Sequence, residues 1–251
     1  MTSKIELMVK KFSDLDISED HPSIVKIQSW YRGCIFRLKH LPNVMYSIKN
    51  YLEKTDCIFT THSKDGRINS CIGEEYILEI LSKKFNKRIK KPNIRMWYDF
   101  LVFDYIYGWL PVNIKITTTN TNDNIGNLAT CVYAYTDQYL DIHRNKTYHN
   151  GEMSDLLFLK LKNRSYNFIS KKDYYFLVLN KTNPKEVIVN SIKGLSVLTP
   201  NINNLPFQVC WSKNKNFRYE NISKKVKLFV ECVKHPKPGW KEIFLHNMRT
   251  L

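Results

Sequence analysis

The sequence predicts a mixed α/β fold, in which a central sheet is flanked by helices and preceded by an N-terminal helical segment. Two apolar runs at 99–107 and 110–116 are rich in β-branched and aromatic residues and surround a turn at Gly108, which is typical of a β-hairpin. Stretches with apolar residues at helical spacing precede and follow this hairpin. Both signals within 251 residues indicate one main core with an appendage.

The N-terminal part is expected to be a polar tail followed by two helices. The tail at 1–21 ends in a helix-start signal, with Pro22 in the first turn. Apolar residues then recur at helical spacing until Leu41 and Pro42 end or kink the helix. A second helix is predicted over 44–53.

A linker is predicted at 60–69, where Thr, Ser, Asp and Gly accumulate. It separates the N-terminal helical segment and linker, 22–66, from a main domain, 67–251. Besides the hairpin, the elements expected in the main domain are helices at 72–85, 127–139, 152–162 and 221–234, a second hairpin formed by 174–180 and 186–192, and a strand at 207–211.

Positive charge is a property of the whole chain. Lys and Arg number 39 against 23 Asp and Glu, which gives a formal net charge of +16. The basic residues form clusters at 83–91, 213–218 and 224–227. Such a field favours a polyanion, of which nucleic acid is the commonest. For any single cluster, a solvated helix face is an equally good explanation.

Cysteine usage predicts an intracellular protein. The six cysteines form neither a C-x-x-C pair nor a regular disulfide framework, so we expect a reducing compartment. No apolar run has the length of a signal peptide core or a membrane span, and we expect no membrane partner. The high content of Asn, Lys, Ile and Tyr fits an AT-rich genome; the cytoplasm or nucleus of a host cell, and a viral origin, stay open.

The first hairpin carries an acid at one end and a lysine at the other. Asp99 and Lys115 become near neighbours when the two strands pair. Phosphodiester hydrolysis needs a hard divalent cation, an activated water and positive charge, which carboxylates and a lysine provide. Asp99 is expected to bind Mg²⁺ (or Mn²⁺) together with the backbone carbonyl of Ile114, while Lys115 positions or helps deprotonate the water.

A further acid is expected from the helix before the hairpin. Glu74 lies at the border of the apolar stripe of that helix, and Glu75 points about 100° away, more toward solvent. Glu74 is therefore the preferred additional metal ligand and Glu75 the second choice. Simple solvation is the alternative for either residue.

Eight residues of this helix and hairpin form an ordered pattern: Gly73, Glu74, Asp99, Asn113, Ile114, Lys115, Thr117 and Thr118. The pattern resembles the PD-(D/E)xK nuclease superfamily, and more specifically the type II restriction endonucleases. The resemblance covers about 67–251. It implies a restriction-endonuclease-like fold, magnesium-dependent hydrolysis of double-stranded DNA, and action as a homodimer in which each subunit cuts one strand.

Two positions depart from the family pattern. Tyr98 stands where the family has a proline before the first acid, and that proline takes no part in the chemistry. Asn113 replaces the second acid, and its amide oxygen brings no negative charge, so cation affinity should drop unless Glu74 compensates. Asp104 is a rival acid, but it lies nearer the turn and is expected to be a surface residue of the hairpin.

The strand at 207–211 runs into a basic, polar loop. By resemblance, such a loop reads base edges, since Gln and Asn side chains suit adenine and Lys suits guanine. A core strand with an exposed loop is the alternative explanation for Gln208 and Trp211. The expected DNA contacts are Thr117, Thr118, Lys213 and Lys215.

The first helix contains a complete IQ motif, with fixed positions Ile27, Gln28, Arg32, Gly33 and Arg37. The motif resembles segments that bind calmodulin or related light chains in other proteins. A basic amphipathic helix with aromatic anchors suits the Met-lined cleft of an acidic EF-hand partner. Packing on the main domain or along DNA phosphates is the alternative.

The predicted function is that of a soluble, magnesium-dependent DNA endonuclease. Asp99 and Glu74 are expected to hold the metal, Lys115 to handle the water and Asn113 to be an auxiliary ligand. Two alternatives stay open. The first is a catalytically inactive DNA-binding relative of the same fold, and the second is an adaptor that binds a calmodulin-like protein through the IQ helix.

Overall fold

The computed structural model describes residues 22–59, 66–92, 96–125, 128–136, 172–200 and 207–218, and the single positions 159, 224 and 228. Eight strands are described: β1 (Ile89–Lys90), β2 (Phe100–Asp104), β3 (Gly108–Thr117), β4 (Asn122–Asn124), β5 (Tyr175–Asn180), β6 (Asn183–Ser191), β7 (Thr199–Pro200) and β8 (Phe207–Cys210). Five of them form a central sheet in the order β1-β2-β3-β5-β6, and the others form a small sheet in the order β4-β8-β7.

Four α-helices are described: α1 (Pro22–Lys39), α2 (Asn43–Lys54), α3 (Gly66–Phe85) and α4 (Leu128–Thr136). Each overlaps a helix that the sequence predicts. The predicted linker is wrong at 66–69, because α3 already begins at Gly66. The predicted helices at 152–162 and 221–234 lie outside the described residues, apart from single positions.

The central sheet is mixed, which confirms the predicted fold class. β1, β2 and β3 are antiparallel neighbours, as are β5 and β6, whereas β3 runs parallel to β5. The chain therefore crosses over between β3 and β5, and α4 belongs to this crossover. Gly108 begins β3 with a φ of +78°, a conformation that glycine adopts without strain.

Helices α2 and α3 cover one face of the central sheet. The buried residues that they share with the strands include Val44, Met45, Ile48, Leu52, Ile77, Leu81, Phe100, Val112 and Ile114. α2 is therefore part of the same core as the sheet, although the sequence analysis assigns it to the N-terminal segment.

The opposite face of the sheet is covered by α4, by the small sheet and by the residues before β2. Its buried cluster is aromatic and includes Trp97, Tyr174, Phe176, Phe207 and Trp211. Side chains alternate along a strand. Because Val112 and Ile114 point to the helical face, Asn113 and Lys115 point to this second face.

Asp104 is a buried residue, only 3% exposed, so its predicted place on the hairpin surface is wrong. Its Oδ1 accepts hydrogen bonds from the backbone N–H groups of Ile106 and Tyr107 at 2.9 and 3.2 Å, which closes the turn. Its Oδ2 accepts from Val44 N–H in the first turn of α2 at 3.2 Å. One carboxylate thus holds the hairpin turn and satisfies a helix N–H that has no partner within its helix.

No helix in the described part of the chain is long and apolar enough to cross a membrane. Among the cysteines whose side chains the structure describes, Cys57, Cys71, Cys131 and Cys210 are free thiols.

Replacing Asp104 by Ala is expected to lower the free energy of unfolding by about 1–3 kcal/mol, because it leaves the buried Val44 N–H and two N–H groups of the turn without an acceptor. Asp104→Asn keeps one acceptor oxygen for the turn and should lose less. Urea unfolding followed by circular dichroism measures both. Asp56→Ala, at an exposed carboxylate, is the matched control, and equal stability of Asp104→Ala and wild type would contradict the assignment.

Candidate active site

Asp99 lies immediately before β2, where the pairing of β2 with β3 ends. Its backbone N–H donates to the Val112 carbonyl at 2.9 Å, so the main chain still follows the strand ladder. Its side chain takes the place that a main-chain carbonyl of β2 would have at the next step of the ladder. There, Oδ2 accepts a hydrogen bond from Ile114 N–H at 2.6 Å. The Asp99 carboxylate is therefore fixed against β3.

The same hydrogen bond defines the direction of the Ile114 carbonyl. In an extended strand, the N–H and the C=O of one residue project to the same side. The Ile114 oxygen therefore points to the side of β3 on which Asp99 lies. β2 does not reach this position, because its last pair with β3 joins Phe100 to Val112.

Asn113 and Lys115 share one face of β3. The Asn113 Oδ1 is buried and has no hydrogen-bond partner among the described residues. Such an orphaned acceptor costs about 1–3 kcal/mol, and a cation or a water at this point would satisfy it. Lys115 is half-buried, and no carboxylate oxygen of a described residue lies within 4.0 Å of its ammonium group.

Glu74 enters the site from α3. Gly73 allows this helix to approach β3 closely, since a Cβ at that position would lie 2.6 Å from Cδ1 of Ile116. Glu74 is half-buried, and its Oε1 accepts a hydrogen bond from Ser70 Oγ at 3.1 Å. Glu75, the second choice of the sequence analysis, is exposed.

The charges of Glu74, Asp99 and Lys115 act on one another. Burial, and then the neighbouring charge of Asp99, raise the pKa of Glu74 from its ordinary value of 4.5 to about 7, against the opposing effect of Lys115. Burial also raises the pKa of Asp99, although the Ile114 N–H and Lys115 oppose this rise. Two desolvated carboxylates that repel each other are typical of a site that a cation stabilises.

The donor set suits a hard divalent cation. Asp99, Glu74, Asn113 and the Ile114 carbonyl all offer oxygen, which is the ligand that Mg²⁺ and Mn²⁺ prefer. No group of three or more His, Cys, Asp and Glu in the described ranges could hold a metal ion by itself. A cation here would therefore use two carboxylates and neutral oxygens, with water completing its shell, which is usual for Mg²⁺.

Two residues near the site are absent from the sequence-based assignment. Asp123 in β4 accepts a hydrogen bond from Trp211 Nε1 at 3.1 Å, and its charge contributes to the raised pKa of Glu74. Tyr174 is fully buried behind the site, where its hydroxyl donates to the Trp97 carbonyl at 2.7 Å. Burial, and then the charge of Asp99, hold the pKa of Tyr174 well above its ordinary range.

Sequence signals for these two residues are weak. Asp123 stands in a polar stretch that predicts a loop, and Tyr174 begins an apolar strand. The proximity of both to the site depends on sheet pairing, which no local pattern shows. Trp211 is fully buried, which agrees with a core strand rather than a residue that reads bases.

The expected DNA contacts have different surroundings. Lys213 is exposed, whereas Lys215 pairs with Glu186 at 2.5 Å. Thr117 is half-buried at the end of β3, and the Thr118 hydroxyl lies 3.0 Å from that of Thr121. Of the two lysines expected to contact DNA, Lys213 is thus the one that no described carboxylate pairs with.

The IQ positions lie on α1, as predicted. Ile27, Gln28 and Arg32 are exposed, Gly33 is half-buried, and the side chain of Arg37 lies outside the described residues. Trp30 is also exposed.

Comparison of the chain with protein-family models gives no match, and comparison with the curated proteins gives none either.

The metal-free protein is expected to lose stability as the pH rises from 4.5 toward about 7. In this window the unfolded chain has released the Glu74 proton and the folded protein still holds it, so each pH unit favours unfolding by at most about 1.4 kcal/mol. Urea unfolding in EDTA between about pH 5 and about pH 8 measures the slope. Glu74→Gln should flatten it and Glu75→Gln should not; identical profiles for wild type and Glu74→Gln would refute the assignment.

Proposed function

We propose that the chain is a magnesium-dependent DNA endonuclease that hydrolyses phosphodiester bonds. The observation that carries this proposal is the meeting of Glu74, Asp99 and Lys115 at the end of the β2–β3 pairing, beside the unsatisfied oxygen of Asn113. The three residues come from α3, from the position before β2 and from β3; Ser70 contacts Glu74, and the Ile114 N–H contacts Asp99.

Asp99 and Glu74 would hold the cation, with the Ile114 carbonyl and Asn113 as neutral oxygen ligands. The Ile114 N–H keeps one Asp99 oxygen directed along β3, and Ser70 orients Glu74. A bound Mg²⁺ supplies Lewis-acid polarisation of the phosphate and lowers the pKa of a coordinated water.

Lys115 would act on the attacking water or on the phosphate. Its ammonium group donates hydrogen bonds and brings positive charge to the place where negative charge develops during hydrolysis. Since no described carboxylate pairs with it directly, this charge is available to a substrate.

The positive charge of the chain supports a DNA substrate. A net charge of +16 attracts the phosphate backbone without regard to sequence. We propose double-stranded DNA as the substrate, Thr117, Thr118, Lys213 and Lys215 as contacts, and a homodimer as the form that cuts both strands.

One observation favours each alternative. The neutral Asn113, together with the lack of a third acidic ligand among the described residues, favours an inactive DNA-binding protein. The exposed apolar residues Val25, Ile27 and Trp30 on the basic helix α1 favour an adaptor that binds a calmodulin-like partner.

A plasmid cleavage assay with Mg²⁺ tests the proposal against both alternatives. Lys115→Ala is expected to reduce the cleavage rate by about 10²–10³-fold, because it removes charge stabilisation during the reaction. Lys54→Ala, an exposed lysine on α2, is the matched control and should cleave like wild type. Equal rates for wild type and Lys115→Ala would overturn the proposal.

Asn113→Asp tests whether this position is a cation ligand. Added negative charge should lower the Mg²⁺ concentration at half-maximal cleavage several-fold, since cation affinity rises with the charge of the ligands. The same change should lower the free energy of unfolding in EDTA, because a third carboxylate joins two that already repel. Asn50→Asp, at an exposed position of α2, is the control. An unchanged Mg²⁺ dependence would mean that Asn113 does not contact the cation.

A further inference from the structure

A second group of aromatic and basic side chains lies at the turn end of the β2–β3 hairpin. Phe103 contacts Tyr105 and Trp109 edge-on, with ring centroids 5.6 and 5.3 Å apart. The Arg88 guanidinium lies 5.1 Å from the centre of the Tyr105 ring, and the Lys90 ammonium lies 4.0 Å from that of Trp109. These five residues are called the hairpin patch.

The hairpin patch is open to solvent and partly rigid. Tyr105 is 82% exposed, so the ring face turned away from Arg88 is accessible. Arg88 donates from both Nε and Nη2 to the Phe103 carbonyl, at 3.0 and 2.8 Å, which holds its guanidinium beside the ring. The exposed Tyr105 ring, with basic groups held beside the patch, is available to a ligand.

Further basic residues stand next to Arg88 and Lys90 in the sequence. Exposed lysines at the end of α3 and next to β1 are Lys83, Lys84, Lys87 and Lys91. The sequence between Ile80 and Tyr98 contains no acidic residue. The hairpin's own acid, Asp104, is buried and accepts three backbone hydrogen bonds. An anionic ligand would therefore meet cations without a competing exposed carboxylate on this stretch.

The patch shares a sheet face with the candidate active site. Trp109, Asn113 and Lys115 point to the same side of β3 because residues alternate along a strand. Trp109 and Lys115 are about 20 Å apart at the rise of an extended chain. Pro111 between them is buried, so the two surfaces are separate.

We propose that the hairpin patch binds an unpaired, single-stranded segment of DNA next to the phosphodiester at the candidate active site. Bases stack on aromatic rings only when they are unpaired and splayed out. The cations beside the rings would contact phosphates. That this DNA is a substrate rests on the proposed function; that the patch binds it does not.

The distance between the two surfaces, and the buried Pro111 between them, agree with a single-stranded DNA ligand. About 20 Å corresponds to about six nucleotides at the duplex spacing of 3.4 Å, and to fewer when the strand is extended. Single-stranded DNA can bend around the surface at Pro111, whereas a duplex is stiff over this length. A duplex with a frayed or unpaired end would therefore occupy both surfaces.

Binding of a fluorescent oligothymidine to the full chain in EDTA, followed by anisotropy, tests the proposal without cleavage. Tyr105→Ala should weaken binding about tenfold, because one base loses its stacking partner, and should leave the salt dependence unchanged. Lys90→Ala should lower the slope of log affinity against log salt concentration by about 0.7. Tyr105→Phe keeps the ring and should bind like wild type.

Matched controls come from the opposite face of the sheet. Tyr46→Ala and Lys54→Ala change an exposed aromatic residue and an exposed lysine on α2 and should leave oligothymidine binding unchanged. A blunt duplex of the same length is the competing ligand. If Tyr105→Ala loses as much affinity for the duplex as for the oligothymidine, the single-strand assignment is overturned. If neither Tyr105→Ala nor Lys90→Ala loses affinity for the oligothymidine, the hairpin patch is not a binding site.

Lys115→Ala separates this proposal from the proposed function. Loss of cleavage in Lys115→Ala together with loss of oligothymidine binding in Tyr105→Ala supports both. If Lys115→Ala cleaves like wild type and Tyr105→Ala still loses binding, the function fails and the patch stands. If Lys115→Ala loses cleavage and Tyr105→Ala binds normally, the function stands and the patch fails.

Discussion

The hydrogen bond from the Ile114 N–H to the Asp99 carboxylate is the interaction on which the candidate active site depends. It places an acidic side chain where the strand ladder would otherwise have a main-chain carbonyl. Because Asp99 is held by β3, the position of the acid relative to Asn113 and Lys115 is set by one strand. Glu74 joins the same strand through the contact of Gly73 with Ile116. β3 is therefore the common support of every proposed ligand.

The charge of the site is balanced against its burial. Burial, and then the neighbouring charge of Asp99, already raise the pKa of Glu74 to about 7. A third acid on β3 would add repulsion that the fold must bear whenever no cation is present. Asn113 offers an oxygen without that repulsion. Its neutrality thus lowers the cost of the metal-free state and also lowers the attraction for a cation.

Local sequence patterns predict features that depend on residues close together in the chain. They miss features that depend on contacts between residues far apart in the chain. Alternation along β2 and β3, and the glycine between them, are enough to predict the hairpin and to bring Asp99 close to Lys115. Asp104 is misread because its partner, Val44, lies 60 positions away on another element. Asp123 is missed for the same reason, since Trp211 is 88 positions distant. In both cases a polar side chain near a turn gives no local sign of its distant partner.

The packing of α2 also decides how the chain can be divided. Val44, Met45, Ile48 and Leu52 cover a face of the sheet with side chains that are 1% exposed or less. A fragment that begins at residue 67, where the sequence suggests a domain start, would lack α2 and would expose the apolar side chains of β2 and β6 that α2 covers. The unit that covers this face therefore begins before α2, near Leu41.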